Sequence, residues 1–149
     1  MLEHEAKLVV DASIVLKWFV KEENRDRALM LREAHLRAGM LLGAPDLVVY
    51  EVCNALRYSP EFTEADVEAA VGSLFELHLG LSSPTTEIMA GAAEAAFKYG
   101  VTVYDAAYLS LAENEDSRLV TADEKFYEKV KDDPRVALLS SDRFLEFIS

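Results

Sequence analysis

The sequence predicts an α/β fold in which helices cover both faces of a parallel sheet. Short apolar, β-branched runs alternate along the chain with longer segments that carry helical spacing and helix-cap residues. Strands that alternate with helices are typical of parallel sheets, whose right-handed crossovers place helices on both faces. The chain has no internal repeat, low-complexity segment or linker, so residues 1–149 are predicted to form a single domain.

Five segments have the composition of short strands. The first ends directly before Asp11, and the second is followed by Pro45 and Asp46, which suit a turn into a helix. The fourth ends two residues before Asp123. The predicted strands are residues 7–10, 40–44, 79–82, 118–121 and 136–139.

The segments between these strands carry helix signals. Thr63 and Asp66 resemble a capping box, Pro84 suits a helix start, and Gly39 and Gly100 suit helix ends. One helix is predicted to begin at the first strand end, and the tail is predicted to form a last turn over residues 142–148. The other predicted helices cover residues 25–38, 46–58, 63–77, 85–99, 104–114 and 122–131.

The composition argues against several classes of protein. With 27 acidic and 15 basic residues, the chain lacks the basic surface that grips long nucleic acid through phosphates. A net charge of −12 favours a basic protein partner, and divalent cations in an acidic pocket could still bridge to phosphate oxygens. The only cysteine, Cys53, is predicted to be a buried structural thiol. Because no signal-peptide pattern or membrane-length apolar run is present, we expect a cytoplasmic protein that does not enter a membrane.

Four acidic residues stand inside or next to apolar sequence. Asp11 and Asp123 follow strands, Asp105 begins a helix, and Glu51 lies within the apolar helix 46–58. An unpaired charge in such surroundings is expensive, and open parallel sheets bind ligands at the carboxyl ends of their strands. We therefore predict that the four carboxylates converge on a Mg²⁺ or Mn²⁺ site, since hard cations prefer oxygen ligands.

Each acid also has a purely structural explanation. Asp11 suits a helix N-cap, and Asp105 suits a first helical turn, where the helix dipole favours a negative charge. A salt bridge to an arginine could hold Glu51. Thr121 and Glu124 match a capping box that does not need the aspartate between them. Four such coincidences are less expected than any one of them, so we favour the metal site.

The remaining polar residues are weaker signals. Ser13 and Asn54 could orient the carboxylates or bind metal waters, although Ser13 equally suits a turn or cap. Three histidines without metal-ligand spacing are predicted to lie on the surface: His4, His35 and His78. Four basic residues could contact phosphates or simply be solvated: Lys17, Arg25, Arg57 and Lys125.

Taken in order, four motifs resemble those of PIN-domain nucleases. They are Val10-Asp11-Ala12-Ser13, Glu51-Val52-Cys53-Asn54-Ala55-Leu56, Tyr104-Asp105-Ala106-Ala107-Tyr108-Leu109-Ser110-Leu111-Ala112 and Val120-Thr121-Ala122-Asp123-Glu124-Lys125-Phe126. The resemblance spans nearly the whole chain and, at this length, is greatest to the VapC-like toxins of prokaryotic type II toxin-antitoxin pairs. One departure is Glu113-Asn114-Glu115-Asp116-Ser117, where the family often has a glycine-containing turn.

The resemblance implies a three-layer α/β/α fold with a central parallel five-stranded sheet and a Mg²⁺- or Mn²⁺-dependent endoribonuclease activity. Metal-activated water would attack an RNA phosphodiester and leave a 3′-hydroxyl and a 5′-phosphate. A homodimer and a small antitoxin whose tail covers the site are also implied. The family's acidic positions correspond to Asp11, Glu51, Asp105 and Asp123, and its supporting polar positions to Ser13, Asn54 and Thr121.

Other functions account for fewer of the residues. A phosphotransferase of the haloacid-dehalogenase type needs a second aspartate two positions after the first, where this chain has Ser13. A receiver domain needs an acidic pair near the first strand and a phosphoacceptor aspartate after a central strand, and neither stands out. A non-catalytic PIN-like binding module and a solitary RNA-processing nuclease are the alternatives to the toxin.

Overall fold

One parallel sheet of five strands organises residues 6–149, which are the residues that the structure, a computed structural model, describes. The strands are β1 (Lys7–Val10), β2 (Leu41–Pro45), β3 (Gly80–Ser82), β4 (Arg118–Thr121) and β5 (Val136–Leu138). They lie in the order β3-β2-β1-β4-β5, and every neighbouring pair is parallel. The predicted sheet is confirmed, and each strand end lies within one residue of its predicted position.

Helices join the strands and cover the sheet. They are α1 (Ala12–Leu16), α2 (Arg25–Leu36), α3 (Leu47–Arg57), α4 (Glu64–Glu76), α5 (Thr86–Tyr99), α6 (Val103–Asn114), α7 (Glu124–Val130) and α8 (Asp142–Phe147). The Thr63 and Asp66 capping box forms as predicted, and Gly100 ends α5 with a left-handed φ of 68°. The predicted end of α2 is wrong, because the helix stops at Leu36 and Ala38, not Gly39, takes the left-handed φ of 58°.

The core lies on both faces of the sheet and continues between α5 and α6. Val10 and Val120, at the ends of β1 and β4, are fully buried. Helix α6 is buried along residues 106–112 and packs on α5 through small side chains, with Gly91 facing Ser110. Close packing of this kind holds α6, and the side chains at its start, in a defined position relative to the sheet.

Two predictions about burial are corrected by the packing. Cys53 is half-buried, since it lines the cleft between α3 and α4. His35 is half-buried and structural rather than on the surface: it accepts from the Leu42 amide at 3.1 Å and its Nε2 lies 2.7 Å from the Leu77 carbonyl oxygen. His78 is exposed, as predicted, whereas His4 lies outside the described residues.

Two further observations concern the chain as a whole. Asp116 adopts a positive φ of 50° before β4, so an aspartate takes the left-handed conformation in the segment where the sequence departs from the family resemblance. Within residues 6–149, no helix combines the length and apolarity that crossing a bilayer requires.

Candidate active site

The candidate site lies where the order of the strands reverses. The chain leaves β1 toward β2 on one side and reaches β4 and β5 on the other, so the reversal falls between β1 and β4. Val10 pairs in register with Val120, which places Asp11 and Thr121 at neighbouring carboxyl ends. In open α/β sheets this crevice is the usual place for a ligand.

Asp11 is the buried member of the site, with 8% of its surface exposed. Its carboxylate caps α1 by accepting from the amides of Ser13 and Ile14, so the predicted N-cap role is confirmed. The Ser13 hydroxyl donates to Oδ1 and the Thr121 hydroxyl donates to Oδ2, both at 2.5 Å. Burial raises the Asp11 pKa to about 6, despite these hydrogen bonds, and the charge of Asp123 adds to the increase.

The two hydroxyls also bind the chain after β4. Ser13 Oγ accepts from the Ala122 amide at 2.8 Å, and Thr121 Oγ1 accepts from the Asp123 amide at 3.1 Å. The residue that caps α7 is Asp123, which accepts from the Phe126 amide at 3.0 Å. The capping-box explanation for Thr121 is therefore wrong, because the N-cap of α7 is Asp123. The Thr121 hydroxyl donates to the carboxylate of Asp11.

Asp105 and Asp123 face a cleft of about 390 Å³ between the starts of α6 and α7. Thr102 caps α6 by accepting from the Asp105 amide at 3.0 Å, which places Asp105 in the first turn as predicted. Burial raises the Asp105 pKa, the charge of Asp123 adds to the increase, and Lys129 opposes it. Lys125 and Lys129 also line this cleft, so it presents both signs of charge.

Glu51 reaches the site from α3 and is held by Tyr108. The Tyr108 hydroxyl donates to Glu51 Oε1, and the Tyr108 side chain is only 2% exposed. Burial raises the Glu51 pKa, the hydrogen bond from Tyr108 lowers it, and Asp105 raises it further. The salt-bridge explanation for Glu51 is wrong for the described part of the chain, since its partner there is a tyrosine.

Sequence reasoning missed Tyr108. It follows Asp105 by three positions, and residues three apart lie on one helix face, so its presence beside an acidic site was readable from that spacing. The hydroxyl at the end of a tyrosine needs a partner when the ring is buried, and no partner for it was predicted from the sequence.

The charges of the four acidic side chains affect one another's pKa values. Asp123 raises the pKa of both Asp11 and Asp105, and Asp105 raises that of Glu51. None of the three salt bridges found in residues 6–149 involves any of them. In the same residues, no three His, Cys, Asp or Glu side chains are already grouped tightly enough to hold one metal ion. Carboxylate oxygens that form no salt bridge are nevertheless the donor type that Mg²⁺ and Mn²⁺ take.

The other predicted polar residues lie in different places. Asn54 is exposed in a separate cleft between α3 and α4, beside Arg57. Arg25 donates to the carbonyls of Lys17 and Trp18 after α1, and Lys17 pairs with Glu22 at 3.6 Å. Of the four basic candidates, only Lys125 lines the cleft of Asp105 and Asp123. Lys129, which was not predicted, lines the same cleft.

Comparison with known proteins decides which family this geometry represents. A protein-family model described as PIN domain matches residues 8–132, which include all four acids. The chain belongs to the PIN-domain family. The predicted membership is confirmed, and the motifs that carried the resemblance are those that surround the site of this PIN domain.

The relatives of this PIN domain include VapC-like proteins. It is 35% identical over 127 residues to Ribonuclease VapC3 of Pyrobaculum aerophilum, an alignment that covers 83% of this chain and 94% of that protein. A toxin-antitoxin complex from Klebsiella pneumoniae has a TM-score of 0.67 at 14% identity and covers 90% of this chain and 98% of that one. VapBC2 from Rickettsia felis, bound to a promoter DNA fragment, has a TM-score of 0.63 at 15% identity and covers 89% of this chain and 96% of that one. The solved structures share the fold, and the predicted VapC-like resemblance is confirmed.

Proposed function

We propose that this PIN domain, as a single unit over residues 1–149, is a metal-dependent endoribonuclease that hydrolyses RNA phosphodiester bonds and acts as the toxin of a toxin-antitoxin pair. The observation that carries the proposal is the line of mutually repelling carboxylates at the switch point of the sheet. Asp11, Glu51 and Asp105 all have raised pKa values, and in each case burial is the largest cause. The relative named as a ribonuclease supports the choice of RNA as the substrate.

Four residues would hold the Mg²⁺ or Mn²⁺: Asp11, Glu51, Asp105 and Asp123. When bound, such an ion lowers the pKa of a coordinated water and stabilises charge on the phosphate and leaving oxygens. Ser13 and Thr121 fix both oxygens of Asp11, so one ligand would be oriented before any ion arrives. Lys125 and Lys129 would bind the RNA phosphate that enters the cleft.

The proposed antitoxin would place an arginine or lysine of a basic tail against the carboxylates and compete with the metal. The net charge of −12 and the absence of any salt bridge to these acids in residues 6–149 favour this arrangement. One solved structure of similar fold is a toxin-antitoxin complex. Truncation of the basic tail should abolish inhibition in an RNA cleavage assay. Inhibition that survives both truncation and high salt would contradict the competition.

A homodimer is the proposed assembly. Tyr50 and Tyr104 are 75% and 64% exposed beside an apolar cavity of about 240 Å³ between the starts of α3, α5 and α6. Exposed apolar surface of this kind is typical of protein interfaces. Tyr104→Asp should shift the sedimentation coefficient from that of a dimer to that of a monomer. A wild-type protein that sediments as a monomer at micromolar concentration would contradict the proposal.

The direct test is cleavage of a mixed set of single-stranded and structured RNAs with Mg²⁺, Mn²⁺ or EDTA. Wild type should cleave only with metal, and Asp105→Asn should not cleave. Asp46→Asn is the matched control, because Asp46 follows β2 as Asp11 follows β1 but lines the separate apolar cavity. Cleavage that persists in EDTA, or in purified Asp105→Asn, would contradict the proposal. Absence of cleavage in every arm would favour the non-catalytic binding module.

A further inference from the structure

Tyr108 is a buried polar residue whose hydroxyl has one partner in the described residues. It lies on α6 one turn after Asp105, 2% exposed, and donates to Oε1 of Glu51 on α3. For core packing alone, phenylalanine would fill this position without bringing a hydroxyl into the interior. Burial and the adjacent carboxylate raise the pKa of Tyr108, so the phenol keeps its proton and stays a donor.

Glu51 depends on this contact, because its carboxylate accepts no other hydrogen bond in residues 6–149. Asp11 accepts from two hydroxyls and two amides, and Asp123 accepts from the Phe126 amide within its own helix start. Within residues 6–149, Tyr108 is the only group that donates a hydrogen bond to the Glu51 carboxylate. Occupying Oε1 leaves Oε2 as the oxygen available to another ligand.

Helix α6 therefore determines the positions of two acidic side chains that come from different helices. It carries Asp105 directly, and through Tyr108 it holds the end of the Glu51 side chain, which is otherwise free to rotate about three bonds. Because α6 is buried along residues 106–112, Tyr108 is itself held in place. Supporting hydrogen bonds of this kind tune the position and basicity of metal-binding carboxylates.

We infer that Tyr108 is a positioning residue, which orients the Glu51 carboxylate toward Asp105 so that the two can share a divalent cation. The inference rests on the proposed metal site. It assigns Tyr108 no contact with RNA and no proton transfer. Its effect should appear in metal affinity and should act only through Glu51.

The test is a titration of the full chain with Mn²⁺ in the absence of RNA. Electron paramagnetic resonance measures the concentration of the free ion. Tyr108→Phe should weaken Mn²⁺ binding by about 10-fold to 100-fold, the range typical of lost supporting hydrogen bonds. Tyr127→Phe is the matched control, since Tyr127 is a half-buried tyrosine of α7 outside the cleft, and it should bind as wild type does. RNA cleavage by Tyr108→Phe should be restored largely by excess Mn²⁺, with the KM for RNA unchanged.

A double-mutant cycle separates positioning from general damage to the fold. In a Glu51→Gln background, Tyr108→Phe should weaken Mn²⁺ binding by less than about 2-fold, because the group through which it acts is already altered. A full effect in that background would overturn the inference, as would wild-type affinity in Tyr108→Phe. If Tyr108→Phe does not fold, Glu51→Asp withdraws the carboxylate from Tyr108 by one methylene, and unchanged Mn²⁺ affinity there would also overturn it. Wild type that binds no Mn²⁺ would instead overturn the metal site itself.

Discussion

The Asp11 corner of the site and the cleft of Asp105 and Asp123 stabilise their carboxylates in opposite ways. Asp11 is 8% exposed, and each of its two oxygens accepts from a serine or threonine hydroxyl. Asp105 is half-buried, Asp123 is exposed, and both stand at helix starts in an open cleft with two lysines. One side of the site is therefore fixed during folding, and the other stays open to solvent, as the proposed metal and substrate require.

This difference shows which carboxylates are positioned by the packing of the fold and which are positioned by a helix start in contact with solvent. A buried carboxylate needs hydrogen bonds to be tolerated at all, so its surroundings are determined by the register of β1 and β4. A carboxylate in an open cleft is stabilised by water and needs only a helix start to place it. We expect substitutions at Asp11 and its hydroxyls to change stability strongly, and substitutions in the cleft to change mainly binding.

The largest expected effect is on activity and should be similar on the two sides. Asp11→Asn and Asp123→Asn should each reduce RNA cleavage by about 10³-fold, since a metal ion contributes several kcal/mol of transition-state stabilisation. Asparagine is also a good N-cap, so both proteins should keep their helix starts. Single-turnover cleavage with Mg²⁺ measures this, with Asp46→Asn as the control. Full activity in either variant would remove that acid from the site.

The pH dependence of the free energy of unfolding should reveal the burial of Asp11. In EDTA, the native protein keeps the proton on Asp11 up to a pKa of about 6, whereas the unfolded chain releases it near 3.8. The free energy of unfolding should therefore fall as pH rises from about 4 to about 6 and level off above, with an Asp11 share of about 3 kcal/mol. Glu51 and Asp105, whose pKa values are also raised, act in the same direction.

Urea unfolding of wild type and Asp11→Asn across this pH range isolates the Asp11 share. The variant should show the shallower decline, and Mg²⁺ should restore stability to wild type above pH 6 because it binds only the native state. Equal declines in the two proteins would show that burial of Asp11 does not control its titration.

A smaller effect compares the hydroxyls of the two sides. Thr121→Val removes a donor from buried Asp11 and should reduce the free energy of unfolding at pH 7 by about 2 kcal/mol. Thr102→Val removes the exposed cap of α6 and should cost about 1 kcal/mol. Urea denaturation of both variants measures the difference. A greater loss in Thr102→Val would contradict the contrast between the two sides.

The smallest expected effect belongs to the lysines of the cleft. Lys129→Gln should raise the KM for RNA by about threefold, because an exposed charge contact contributes less than about 1 kcal/mol. Stability should change little, since the variant loses only an exposed hydrogen bond from Lys129 Nζ to the Gly100 carbonyl. Lys131→Gln is the control, since Lys131 pairs with Glu128 outside the cleft. Equal KM values for the two variants would place the RNA elsewhere.

Most of the fold and three of the acids could be predicted because their signals are local. β-branched runs, cap residues and turn formers marked all five strands, and Asp11, Asp105 and Asp123 were placed by adjacent strand ends or helix starts. The Tyr108 contact could not be predicted in this way, because it depends on how α3 packs against α6 across 57 positions of sequence. The same holds for Thr121, whose hydroxyl reaches Asp11 only through the pairing of β1 with β4.

We expect both sides of this site to hold one divalent metal centre together. Mn²⁺ titration of the full chain at pH 7.5, followed by electron paramagnetic resonance, tests it in wild type and in Asp11→Asn, Glu51→Gln, Asp105→Asn and Asp123→Asn. We expect wild type and the Asp46→Asn control to bind Mn²⁺ with equal affinity, and each of the other four substitutions to weaken binding by at least about 10-fold. Wild-type affinity in all four variants would contradict the claim.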